Sequence, residues 1–156
     1  MLSVGDLAPD FNADASDGRR LSLSELRGSV VVLYFYPRAF TPICTRETAR
    51  FRDQHADFSA FGARIVGVSP DPLETQCEFG SRQGVQFPLL ADPERRIASS
   101  YGVLWPLLPR VRRVTFVIDE AGRVELVVSN ELQISKHVDA VLEHLRRRSP
   151  AAAGQR

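Results

Sequence analysis

The run Val30 to Phe35, six apolar residues rich in β-branched and aromatic side chains and free of charge, constrains this chain most. It predicts a strand buried on both faces, which requires covering layers above and below it. Pro37 ends the run. Thr41 then suits an N-cap, Pro42 the first helical position, where its missing N–H is no loss, and Cys44 the third. A sulfur placed there lies beside unpaired backbone N–H groups and the positive end of the helix dipole, which favour thiolate over thiol. Free cysteines titrate near ~8.5, and helix N-termini with cationic neighbours bring this to roughly 3.5–7.5. Two readings of Cys44 follow: a reactive thiol, or a small buried hydrophobe, the commonest fate of a free cysteine. Thr41 and Pro42 set just ahead of it favour the first, because a core position does not call for them.

With 156 residues and 17.4 kDa, the chain fits one domain, expected over residues 1–148, with 149–156 as a disordered tail. Twenty basic and 19 acidic residues leave a net charge of +1, which offers no field for nucleic acid or a membrane surface. No apolar run approaches the ~20 residues of a membrane span. The opening Met1-Leu2-Ser3-Val4-Gly5-Asp6 shows no basic stretch followed by an apolar one, so no signal peptide is visible. Two cysteines in such a chain point to a cytoplasmic setting, where a disulfide is transient and catalytic.

The turn Ser16-Asp17-Gly18-Arg19 predicts a short N-terminal hairpin or edge structure between Val4 and Leu23, followed by a helical turn over Leu23 to Arg27 capped by Ser22 or Ser24. Ile43, Glu47, Phe51, His55, Phe58 and Phe61 follow a helical period and predict one long helix, with His55 packed on its apolar side. Arg64 to Ser69 reads as a second buried strand. Asp71-Pro72-Leu73-Glu74 reads as a capping box opening a helix that ends near Gly84. A short strand over Phe87 to Leu90 and a helical turn from Asp92 or Pro93 to Tyr101 follow. Tyr101 to Arg112 carries Trp105, Pro106 and Pro109 and is too proline-rich for a regular element; it is either interface and pocket wall or a loop folded on its own core. Arg113 to Ile118 and Arg123 to Ser129 form a hairpin about Asp119-Glu120-Ala121-Gly122. Ile134, Val138, Val141, Leu142 and Leu145 mark a last amphipathic helix, flanked by solvated His137 and His144 and closed by Arg146 to Arg148, whose cations complement its dipole. This order gives an α/β architecture, a mixed sheet with helices on both faces.

The pattern Pro37-x-x-x-Thr41-x-x-Cys44, within Tyr36-Pro37-Arg38-Ala39-Phe40-Thr41-Pro42-Ile43-Cys44-Thr45-Arg46-Glu47, resembles the peroxidatic motif of the peroxiredoxins. It looks most like the bacterioferritin comigratory protein, or peroxiredoxin Q, subgroup. The likeness extends from Val4 to about Arg148 and includes the opening Val4-Gly5-Asp6-Leu7-Ala8-Pro9-Asp10-Phe11. The resemblance implies a thioredoxin fold with an N-terminal hairpin extension and a mixed central sheet flanked by helices. It implies a thiol-dependent peroxidase that reduces hydrogen peroxide and small organic hydroperoxides through a sulfenic acid on Cys44, without metal, haem or flavin. Thr41 would bind a substrate oxygen, and Pro37 would shield the thiolate. Arg113, in Arg113-Val114-Thr115-Phe116, is carried over as the cation that stabilises thiolate and transition state. Arg112 beside it faces the other way, as alternate strand residues do. Glu47 occupies the family's glutamate position and orients an arginine.

Many members of the subgroup place the resolving cysteine five residues after the peroxidatic one, and that position here is Ala49. Others place it on the next helix, where Cys77 falls. The resemblance therefore implies resolution by Cys77 and recycling by thioredoxin or a similar dithiol protein, in a monomer or weak homodimer. Cys77 also shares a stripe with Leu73; as a core residue it would leave a one-cysteine peroxidase recycled by an external thiol. Two rivals come from other classes. A disulfide reductase would need Cys-x-x-Cys, and Cys44 is followed by Thr45, Arg46 and Glu47. A redox-sensing or metal-binding module would draw on Cys44, Cys77 and His55, which lack the spacing of a zinc motif, and a non-catalytic holdase would keep its activity in Cys44→Ser.

Overall fold

The turn at Ser16 to Arg19 closes an antiparallel pair, β1 (Asn12–Asp14) and β2 (Arg20–Ser22), in the computed structural model, which describes residues 1–148. The expected tail at 149–156 lies outside the described residues. Glu25 accepts from the Ser22 N–H at 3.2 Å, which fixes the following 3-10 turn Leu23–Leu26. Strand β3 (Val30–Phe35) then enters the centre of the main sheet with all six residues buried. On one side it pairs in parallel with β4 (Ala63–Ser69), which pairs in parallel with β5 (Leu89–Ala91). On the other side lie β6 (Val114–Ile118) and β7 (Val124–Ser129), both antiparallel, so the sheet is mixed and five-stranded in the order β5-β4-β3-β6-β7.

Alternation along β3 feeds two separate cores. Val31, Leu33 and Phe35 point into one with Val66, Val68, Tyr101 and Phe116; Val30, Val32 and Tyr34 point into the other with Phe51, Phe58, Val138 and Leu142. Helices α1 (Pro42–Asp53), α2 (His55–Ala60), α3 (Leu73–Gln83) and α5 (Ile134–Arg148) place buried side chains in the second core, α4 (Arg96–Tyr101) in the first. Each large aromatic removed from water in this way contributes about 1.5–3 kcal/mol. Gly67 on β4 is required by packing, since a Cβ there would meet Leu89 at 2.8 Å and the Tyr34 ring at 2.9 Å. No helix among the described residues is long and apolar enough to cross a membrane.

Three sequence expectations need correction. The long helix is two helices, because the chain leaves helical geometry at Gln54 (φ −103°, ψ 14°) and the Asp57 and Phe58 N–H groups return to the Gln54 carbonyl to start anew. Neither glycine nor proline marks this break, so the apolar period runs straight through it. His55 packs half-buried against Phe87, with ring centroids 6.3 Å apart. The capping box at Asp71 does not form: Pro72 holds the N-cap position, and the Asp71 carboxylate accepts from Ser69 Oγ and Ala39 N–H instead. The histidines of α5 are not solvated. His137 is fully buried, and His144 lies half-buried 2.9 Å from Glu125.

Candidate active site

The end of β3 delivers the chain into a tight loop and then into α1, whose N-cap is Thr41 and whose first turn carries Pro42 and Cys44. Phe40 has φ 67°, a left-handed conformation that non-glycine residues rarely adopt. Its ring rests on Phe79 of α3, with centroids 5.1 Å apart, and the Ala39 N–H donates to Asp71 at 2.7 Å. The loop is thereby tethered to the segment after β4. Thr41 does not cap with its side chain; its hydroxyl donates to the Arg38 carbonyl at 2.7 Å.

Cys44 is completely buried, and a cation meets it there. Arg113, which immediately precedes β6 and is only 3% exposed, donates from Nη1 to Cys44 Sγ at 3.2 Å and to Glu47 Oε1 at 2.9 Å. Glu47 lies one turn after Cys44 on α1, fully buried. Arg113 is held further by its Nε on the Glu131 carbonyl at 3.1 Å and by its own N–H on Glu131 Oε2 at 2.8 Å. Burial pushes the Glu47 carboxyl up to about 7 against the opposing pull of Arg113. Burial also works against the Arg113 charge, but Glu47 and Cys44 more than offset it and its pKa is raised. The guanidinium is thus a fixed cation on the sulfur.

In front of this pair opens a pocket of about 580 Å³ lined by Pro37, Arg38, Thr41, Pro42, Ile43, Arg110 and Arg113. Its walls are cationic and apolar. Arg110 brings the Trp105 loop into the pocket wall, and the loop is closed by the Leu104–Val111 bridge and the Trp105 N–H bond to Arg110. Arg112 turns the other way and stacks on Trp105, 4.9 Å from the ring centroid.

The sequence-derived residues therefore separate into two groups. Cys44, Glu47 and Arg113 are in direct contact, and Pro37 and Thr41 line the approach to them. Cys77 stands apart on α3, half-exposed with a free thiol, lining a cavity of about 290 Å³ that shares no residue with the pocket ahead of Cys44. Sequence reasoning misses the Asp71 tether and the Glu131 clamp, whose roles depend on contacts across 32 and 18 residues. It also misses the burial of His137, for which a signal exists: His137 lies three residues after Ile134 and four before Val141, on the apolar stripe of α5.

The chain is similar to known proteins over most of its length. Residues 4–127 match the AhpC/TSA family. A chloroplastic peroxiredoxin Q of Sedum lineare is 38% identical over 147 residues, covering 92% of this chain and 78% of the relative. The crystal structure of peroxidoxin BcpB from Mycobacterium tuberculosis superposes with a TM-score of 0.89 at 38% identity, over 94% of this chain and 98% of that one. The bacterioferritin comigratory protein of Xanthomonas campestris, described for its alkyl peroxide reduction activity, gives a TM-score of 0.83 at 28% identity over 88% and 91% of the two chains. The five-stranded mixed sheet flanked by helices is accordingly the thioredoxin fold of these proteins. This chain belongs to the AhpC/TSA family and is a peroxiredoxin, a thiol-dependent peroxidase.

Proposed function

We propose that Cys44 is the peroxidatic sulfur, that Arg113, Thr41, Pro37 and Glu47 form its site, and that Cys77 resolves the oxidised product. The observation that carries this reading is the 3.2 Å approach of Arg113 Nη1 to a fully buried Cys44 Sγ. A thiolate at Cys44 attacks the nearer peroxide oxygen in line: the S–O bond forms as the O–O bond breaks, and the departing alkoxide or hydroxide takes up a proton. The guanidinium is a preorganised donor for the charge on sulfur and on the reacting oxygens. Thr41, whose own proton is engaged by the Arg38 carbonyl, keeps lone pairs that can accept the peroxide O–H. Pro37 adds an apolar wall without an N–H, and Glu47 fixes the guanidinium.

Attack leaves Cys44 as a sulfenic acid. The Cys77 thiol then displaces water from it to form a disulfide, and a dithiol protein such as thioredoxin returns both sulfurs to thiols. Bridging requires Cα atoms within about 7 Å, and from any longer separation the first turn of α1 unwinds toward α3. Phe40 in its left-handed conformation, directly ahead of that turn, supports this route. The open 580 Å³ pocket has room for small organic hydroperoxides as well as hydrogen peroxide, and the Xanthomonas relative is described as reducing alkyl peroxides. A monomer or weak homodimer completes the reading.

Peroxide consumption by the reduced protein tests it. Cys44→Ser abolishes consumption with either dithiothreitol or thioredoxin as reductant. Cys77→Ser retains it with dithiothreitol and loses it with thioredoxin. A fully active Cys44→Ser protein overturns the nucleophile assignment; undiminished turnover of Cys77→Ser with thioredoxin overturns the resolving role.

A further inference from the structure

Glu47 presents two carboxylate oxygens to a buried space, and only one is paired. Oε1 accepts from Arg113, whereas Oε2 has no hydrogen-bond partner among the described residues and lies 3.8 Å from His137 Nδ1. Both side chains are completely buried. The imidazole is fixed at both nitrogens. Nε2 lies 2.7 Å from the Asn130 carbonyl oxygen, which can only accept, so Nε2 carries a proton. Nδ1 lies 2.8 Å from Thr115 Oγ1 and, in the neutral ring, accepts from that hydroxyl. A second proton on the ring has one place to go, Nδ1, the nitrogen that faces Glu47 Oε2.

The titratable and charged groups around this pair come from several elements. They are Cys44 of α1, Tyr34 of β3, Arg113 ahead of β6, and Glu131 between β7 and α5. Burial holds Tyr34 well above its ordinary value, so its phenol stays neutral. Burial also pushes Glu47 up to about 7 and His137 below its ordinary value, so their ordinary order is reversed and the carboxyl competes with the imidazole for the proton. Among the buried side chains alone, with part-buried Glu131 left out of the count, a Cys44 thiolate, the Arg113 cation, an ionised Glu47 and a neutral His137 leave one negative charge in excess. One proton held between Glu47 Oε2 and His137 Nδ1 cancels it. An uncompensated buried charge is costly, and two such close groups titrate as a pair.

We infer that His137 is a positioning residue of the Cys44 centre: it shares one proton with Glu47 and so sets how much of the Arg113 charge is left for the sulfur and the peroxide. The inference rests on Cys44 being the peroxidatic sulfur. His137 makes no bond to substrate. While the proton is in place, Glu47 competes weakly for the guanidinium. When it leaves, Glu47 becomes a full anion, draws on Arg113, and attack on peroxide slows.

The test is the second-order rate constant for hydrogen peroxide from about pH 5.5 to about pH 8.5, across the range in which such a pair titrates. Wild type shows a falling alkaline limb. In H137Q, which keeps polar atoms for Asn130 and Thr115 but cannot take the proton, the limb moves down by about one pH unit, so the variant is about tenfold slower on the limb and within about twofold at the acid end. A profile unchanged in H137Q, or lowered equally at every pH, overturns the inference. Imidazole NMR titration of wild type and Cys44→Ser reads the same coupling without altering position 137. Because coupling is reciprocal, removing the anionic sulfur lowers the His137 midpoint by about one unit, and a midpoint indifferent to Cys44 overturns the inference as well. A wild-type protein that consumes no peroxide would instead overturn the assignment of Cys44, independently of the NMR result.

Discussion

In the proposed site Arg113 is the central contact, because one guanidinium serves Cys44 Sγ, Glu47 Oε1 and the Glu131 carbonyl at once. A lysine ammonium is a point charge on a flexible stem and cannot reproduce that fork. Arg113→Lys is expected to lower the rate constant for hydrogen peroxide by about 10²–10³, the usual loss when a preorganised donor is removed from developing charge. Stopped-flow kinetics on the reduced variant check this, and a rate equal to wild type would show that charge alone suffices. At this scale the sequence was partly legible. The Thr41-Pro42-Ile43-Cys44 order announces a helix N-terminus with a sulfur in it, and the structure places Cys44 there. Glu47 and Arg113, considered without relatives, look like surface charges; their burial follows from a contact across 66 residues that no local pattern encodes. His137 is different. Its place on the apolar stripe of α5 announces burial, and assigning it to solvent gives its polar residue type more weight than the period supports.

Among the elements, the junction of β3 and α1 carries the proposed nucleophile, and its shape depends on a tether from outside it. Asp71 takes the Ala39 N–H and the Ser69 hydroxyl, holding the loop ahead of Thr41 against the segment that leads into α3. Asp71→Ala leaves the part-buried Ala39 N–H without its partner, at an expected cost of about 1–3 kcal/mol in urea unfolding of the reduced protein. The same change frees the first turn of α1, so disulfide formation after oxidation is expected to accelerate. Unchanged stability together with an unchanged rate of disulfide formation would remove the tether from the account. Strands β3, β4, β6 and β7 and helices α3 and α5 fall near their expected places because apolar runs and periods mark them. The break at Gln54 and the reassignment of Asp71 were not legible, since the first lacks a breaker residue and the second satisfies a sequence motif whose side chain finds a distant donor.

For the molecule as a whole, the five-stranded sheet divides the apolar residues into two cores, and the thiols lie on helices that both pack into the second. Cys44 is sealed in that core beside its cation, whereas Cys77 is half-exposed at a separate cavity. The sheet, its helical layers and the N-terminal hairpin were legible from strand order and turn chemistry. The separation of the two sulfurs was not, because it depends on how α1 and α3 pack. The central claim is that oxidation starts at Cys44 and passes to Cys77. The most direct measurement treats the reduced protein with one equivalent of hydrogen peroxide, traps sulfenic acid, and reads intact mass and peptide map. Loss of two hydrogens with Cys44 joined to Cys77 is the expected result. Sulfenic acid trapped on Cys44 beside a free Cys77 would contradict the resolving step, and an unmodified protein would contradict the account from its first bond.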